Sequence, residues 1–140
     1  MSKRKANRKI DHHASCGNDH DTFGYVYSSM LKHPAYIGLP LEAKQGYTLC
    51  RNQLHDSASR RILYNHAAET GEKYNDSCFV FPAKCWKEYG ITRQQGSRIL
   101  NTLIDRGFIR RVEQNKHRWQ ANVYQFCSDW KKTDSRSTNN

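Results

Sequence analysis

Between Phe81 and Phe126 the spacing of apolar positions changes from a helical period to a strand period. Ala83, Trp86 and Tyr89 recur near helical spacing, and Ile99, Leu100, Leu103 and Ile104 gather on one face of a second helix. Phe108 to Val112 then alternates as a strand does, and Asn122 to Phe126 supplies a partner for it. The punctuation agrees with this order. Pro82 suits the first position of a helix, because its φ is fixed and it has no N–H to leave unpaired. Gly90 falls where that helix would stop, since glycine enters the left-handed conformation of a C-terminal cap without steric cost. Thr92 and Gln95 have the spacing of a capping box, in which each residue satisfies a backbone amide of the other. The second helix is therefore predicted to begin at Arg93. Gly96 is small enough to let the preceding helix pack closely, and Gly107 ends the segment.

Upstream, the pattern predicts a helical layer that serves as scaffold and partner contact. Tyr25, Met30 and Leu31 precede a break at His33-Pro34, and Pro40 restarts a helix. Ala43, Tyr47, Cys50 and Leu54 follow at i, i+4, i+7 and i+11, which is one buried stripe. Asp56 or Ser57 can cap a further helix with Ile62, Leu63, His66 and Ala67 turned inward. Gly71 to Ser77 reads as a turn-rich loop, and Cys78 to Phe81 as a small third strand. The expected fold is mainly α with a small antiparallel sheet. It occupies residues 23–130 as one domain, between a disordered basic arm at 1–22 and a Ser, Thr and Asn-rich flexible tail at 131–140.

Composition sharpens this picture through where the charge lies. The chain of 140 residues carries a formal net charge of +10, from 23 Lys and Arg against 13 Asp and Glu. Residues 1–9 hold five cations and no anion, and residues 84–118 hold nine cations against three anions. Residues 10–83, by contrast, hold six cations against eight anions. A charge that served solubility alone would be spread more evenly. The excess sits on the arm and on the segment of two helices and a hairpin, which points to a polyanionic partner.

The run ITRQQGSRILNTLIDRGFIRRVE resembles the Ile-Thr-x-x-x-small-x-x-apolar-x-x-Leu-x-x-x-Gly-Phe-Ile pattern of bacterial winged helix-turn-helix DNA-binding domains. With YVYSSMLKHPAYIGLPLEAKQGYTLC before it and CFVFPAKCWKEYGIT leading into it, the chain is similar to small helix-turn-helix and replication-initiator-like proteins of plasmids and integrative conjugative elements. The similarity covers roughly Phe23 to Trp130, and the segment between Arg51 and Asn75 departs from the usual pattern. The resemblance implies a winged helix-turn-helix with extra N-terminal helices, and double-stranded DNA as partner. Its recognition helix would be 93–106 and its basic wing 114–120. Gln94, Gln95 and Arg98 are then the expected base readers, because Gln can pair with adenine and Arg with guanine through two hydrogen bonds each. Asn101 lies farther along the same helix. Thr92, Arg93 and Ser97 are expected on phosphate, and Lys116, His117 and Arg118 on the wing against backbone or in the minor groove. Trp119, beside them, reads first as a hairpin packing residue and second as a stacking residue.

The remaining chemistry is sparse. His12, His13, Cys16 and His20 could meet at a zinc ion, but their spacing matches no common finger and the chain has no C-x-x-C pair, so no metal or cofactor is expected. The five cysteines are scattered and odd in number, which disfavours a disulfide framework, and Cys50, Cys78 and Cys85 read as small core residues. His66 reads as a satisfied histidine at the core edge, and Arg51, Arg60 and Arg61 as solvated or phosphate-contacting. There is no phosphate loop, no paired histidine motif on a helix and no nucleophile elbow, so binding is expected rather than catalysis. No apolar run approaches the roughly 20 residues of a membrane span, nor does KRKANRK open a secretory signal; a cytoplasmic location is expected. Three roles fit: a transcriptional regulator of a mobile element, an accessory binder at a replication or transfer origin that recruits replication or transfer proteins, and a protein-interaction module. A homodimer contact, if formed, is expected between Tyr25 and Leu54.

Overall fold

Side-chain caps at the start and left-handed glycines at the end bound the two helices Ser57–Thr70 and Arg93–Asp105, satisfying backbone groups that a helix itself leaves unpaired. In the computed structural model, which describes residues 13–17, 21, 24–113 and 122–132, six helices precede or interleave with three strands. The helices are α1 Ser28–Leu31, α2 Pro34–Ile37, α3 Leu41–Gln53, α4 Ser57–Thr70, α5 Ala83–Glu88 and α6 Arg93–Asp105. The strands are β1 Cys78–Val80, β2 Ile109–Glu113 and β3 Val123–Phe126, and a 3-10 turn at Asp129–Lys132 follows. His33 caps α2, its Nδ1 accepting from the Ala35 amide at 3.1 Å, and Asp56 caps α4 by accepting from the Ser59 amide at 3.0 Å. Pro82 stands one position earlier than expected, as the N-cap of α5 with an extended ψ of 154–160° shared by the other proline and threonine caps. Gly90 and Gly107 have φ of 77° and 85°, so each reverses the chain in a conformation that a side chain would strain.

The protein is mainly helical with a three-stranded antiparallel sheet in the order β1-β3-β2. Cys78 pairs with Gln125 and Val80 with Val123, while Ile109 pairs with Phe126 on the other side. The strand that precedes the α5–α6 pair is thereby joined to the hairpin that follows it, which ties both ends of the helix pair to one sheet. A bulge between Arg111 and Glu113 breaks the register where β2 leaves the sheet.

Both faces of β1 and β3 are covered. Phe79 lies 4.8 Å from Phe126, ring centre to ring centre, in a core that also takes Tyr47, Leu103, Phe108 and Trp130. Cys78, Val80 and Val123 point the other way and pack against Ile62 and Leu63 of α4 and against Tyr74. This explains why β1 is buried at three successive residues instead of alternating. The expected stripe of Ala43, Tyr47, Cys50 and Leu54 is buried throughout. Of the apolar residues opening the helical layer only Met30 is buried, because α1 is a single turn and Leu31 points outward. Cys50, Cys78 and Cys85 are buried, and burial pushes the Cys50 and Cys78 thiols up from their ordinary pKa. His66 is buried and shares a hydrogen bond of 3.0 Å with the Tyr74 hydroxyl.

Two contacts position α6. A Cβ on Gly46 would lie 2.2 Å from Cγ2 of Ile99, and one on Gly96 would lie 2.6 Å from the Trp86 indole. Helix α6 is thus held directly against α3 on one side and α5 on the other. The Trp86 ring has little room to yield, since Phe81 stacks on it at 3.6 Å with the planes 1° apart. Beside this apolar contact runs a buried polar network. Gln53 donates from Nε2 to Ser59 Oγ at 2.6 Å and to the Val80 carbonyl at 3.1 Å, and its Oε1 accepts from the Tyr89 hydroxyl at 3.2 Å. One side chain therefore joins the end of α3 to α4, β1 and α5.

Gly96→Ala should lower stability by about 1–3 kcal/mol, the usual range for overpacking a site that cannot relax, as read from the midpoint of urea unfolding at constant slope. Gln53→Leu should cost a similar ~1–3 kcal/mol, because it keeps the volume and strands the partners of the amide; an unchanged midpoint would show that water replaces the network.

Candidate nucleic-acid interface

The capping box fixes where α6 starts. The Gln95 amide donates to Thr92 Oγ1 at 3.1 Å, and the Thr92 amide donates to Gln95 Oε1 at 2.9 Å. Gly96, Ile99, Leu100 and Leu103 are buried against the domain. The row Gln94, Arg98, Asn101 and Asp105, at i, i+4, i+7 and i+11, therefore marks the middle of the opposite face, and all four residues are exposed. Arg93, Gln95 and Ser97 are also exposed but lie on the flanks of that row.

This arrangement brings together most of the expected contact residues, and two of them, Thr92 and Gln95, also form the cap of the helix. Gln94, Arg98 and Asn101 stand in line. The Gln95 carboxamide oxygen accepts from the Thr92 amide, so one of its two lone pairs is spent on the cap, while its NH2 group has no part in the capping box. Thr92 likewise spends its hydroxyl oxygen on the Gln95 amide, although its own O–H remains a donor. Asp105 enters the outer row at its C-terminal end, opposite in charge to what a polyanion would favour there. It was legible from the period alone.

Arg98 does not stand free. Its Nε donates to Glu42 Oε2 at 3.2 Å, across from the first turn of α3, with side-chain exposures of 59% and 43%. Arg106, one residue past the helix, donates to the Gly38 carbonyl at 3.2 Å. Neither contact has a signal in the sequence, because the partners are far apart along the chain.

The cationic field around α6 extends to neighbouring elements. Lys84 and Lys87 are exposed on α5, and Arg110 and Arg111 on β2. Arg110 is held by the Gln125 carboxamide, to which Nε and Nη2 donate at 2.9 and 2.7 Å, and the Arg111 guanidinium lies 5.8 Å from the Tyr124 ring centre. Arg51 and Arg60, by contrast, serve the fold. Arg51 sits 4.7 Å from the ring centres of both Tyr25 and Phe126, and Arg60 donates to the Leu54 carbonyl at 3.0 Å.

Lys116, His117, Arg118 and Trp119 lie outside the described residues, between strands β2 and β3 that they connect. His12 and His20 are also outside them, while His13 and Cys16 are exposed. Among the described residues no three His, Cys, Asp or Glu side chains are placed to hold a metal ion, and no helix is long and apolar enough to cross a membrane. No protein family, curated protein or solved structure matches the chain.

Thr92→Ala should cost about 1 kcal/mol by removing one arm of the capping box. Urea unfolding checks the magnitude, and an amide-exchange rate unchanged at Gln95 would show that the cap is not formed in solution.

Proposed function

We propose that this chain is a sequence-specific double-stranded DNA-binding protein of a bacterial mobile element, built as a winged helix-turn-helix and acting in the cytoplasm as a transcriptional regulator. The observation that carries the reading is the outer row of α6. Gln94, Arg98 and Asn101 are lined up on a helix that is pinned from behind by α3 and α5, and their side chains are those able to pair with adenine and guanine edges in the major groove. The surrounding cations support it. Arg93, Lys84 and Lys87 are exposed near the start of the helix pair, where phosphate contacts would set register without reading sequence. The β2–β3 hairpin carries the basic 114–120 segment that serves as the wing in this proposal, with Lys116, His117 and Arg118 on the DNA backbone.

The protein acts as a homodimer in this proposal, through the Tyr25 to Leu54 region. Tyr27, Leu31, Ile37 and Leu41 are 68%, 46%, 58% and 81% exposed there, a concentration of apolar surface that a partner subunit would cover.

Selection of bound duplexes from a randomised pool at near-physiological salt tests the proposal. An enriched inverted repeat with half-sites about one helical turn apart is expected. Single or directly repeated sites would instead assign an accessory role at a replication or transfer origin, and no enrichment would leave only a protein-interaction role. On the selected site, Arg98→Ala should cost about 1–3 kcal/mol and leave nonspecific binding much less changed. Lys116→Ala should weaken all sequences alike and flatten the log-log salt slope by about one.

A further inference from the structure

Among the described residues, the carboxylate that pairs with Arg98 in the outer row of α6 comes from a different helix. Glu42 occupies the first turn of α3, where the helix dipole favours a negative charge. Its Oε2 accepts from Nε of Arg98, and no described residue pairs with the two terminal nitrogens of that guanidinium. One turn farther along α3, Gly46 meets Ile99, the neighbour of Arg98, at a separation that leaves no space for a Cβ. The carboxylate and the guanidinium are therefore placed by two helices in fixed contact, and not merely by two long side chains that happen to meet.

We propose that Glu42 is the residue that aims Arg98, holding the guanidinium by Nε so that both terminal N–H groups are presented outward for bidentate pairing with a guanine edge. This inference rests on the reading of α6 as a DNA-recognition helix. It accounts for an otherwise awkward charge. A carboxylate beside a phosphate-facing surface weakens attraction to every DNA sequence, and an ion pair this exposed contributes little to folding. The compensating gain lies in order. An arginine has many rotamers, and fixing one of them in the free protein removes a cost that would otherwise fall on binding the correct base. Glu42 is thus a positioning residue for specificity, set 56 residues away in sequence from the residue it serves.

The test compares the full-length protein with Glu42→Ala, Glu42→Gln, Arg98→Ala and the Glu42→Ala/Arg98→Ala pair, each selected against the same randomised duplex pool, with base preference read position by position. Glu42→Ala should lose about tenfold in preference at one base pair, the same one that Arg98→Ala abolishes. Its affinity for unrelated duplexes should rise. Glu42→Gln, which still offers an oxygen to Nε, should retain part of the preference. The double variant should show the base profile of Arg98→Ala, because the two residues act as one unit.

A uniform rise in affinity with an unchanged preference in Glu42→Ala would overturn the proposal and leave Glu42 as a simple charge. A sharper preference would overturn it too, and make Glu42 a mask over Arg98. Absence of any motif with the unaltered protein would instead remove the DNA-reading role on which the inference rests. Urea midpoints close to that of the unaltered protein are expected for both Glu42 variants, so a loss of preference cannot be read as a loss of fold.

Discussion

The position of α6 rests on two places where a helix backbone approaches another element more closely than any side chain would allow. At Gly46 the partner is Ile99 and at Gly96 it is the Trp86 indole. These contacts lie on the buried side of α6 and fix its distance from α3 and α5 together. Everything on the exposed side inherits that placement, including the direction in which Gln94, Arg98 and Asn101 face. Because packed interiors yield little, the two glycines give the outer row a rigid base that a looser pair of helices would lack.

The rest of the domain keeps that base from shifting. The sheet order β1-β3-β2 binds the chain before α5 to the chain after α6, so the helix pair cannot move without disturbing strand pairing. Helix α4 then covers the outer face of β1 and β3 through Ile62 and Leu63, and Gln53 cross-links α3, α4, β1 and α5 by hydrogen bonds in the interior. The segment between Arg51 and Asn75 therefore has a definite structural task. It covers the face of β1 and β3 that the main core leaves open. Trp130 closes the far end by stacking on Phe108, with ring planes 1° apart.

At the exposed face, side-chain atoms of α6 and its cap are already engaged in the fold. Gln95 stands at the N3 capping position, and its oxygen accepts from the Thr92 amide. Arg98 keeps its terminal nitrogens clear while its Nε is taken by Glu42. A carboxamide oxygen engaged once retains a second lone pair, and a guanidinium engaged through Nε retains its terminal N–H groups.

What was legible in the amino-acid order is what depends on neighbours along the chain. The Thr92–Gln95 cap, the start of α6 at Arg93, the turns at Gly90 and Gly107, and the stripe from Ala43 to Leu54 all follow from backbone geometry over a few residues. Gly96 was legible as a close-packing position, and Asp105 could have been placed on the outer row by period alone. Tertiary structure alone decided which residues from distant segments meet. It set Glu42 against Arg98, Gln53 among Ser59, Val80 and Tyr89, and Arg51 between Tyr25 and Phe126. Such pairings have no local signature, because they arise only when hydrophobic faces that are separately predictable are packed together and their polar edges are brought within reach.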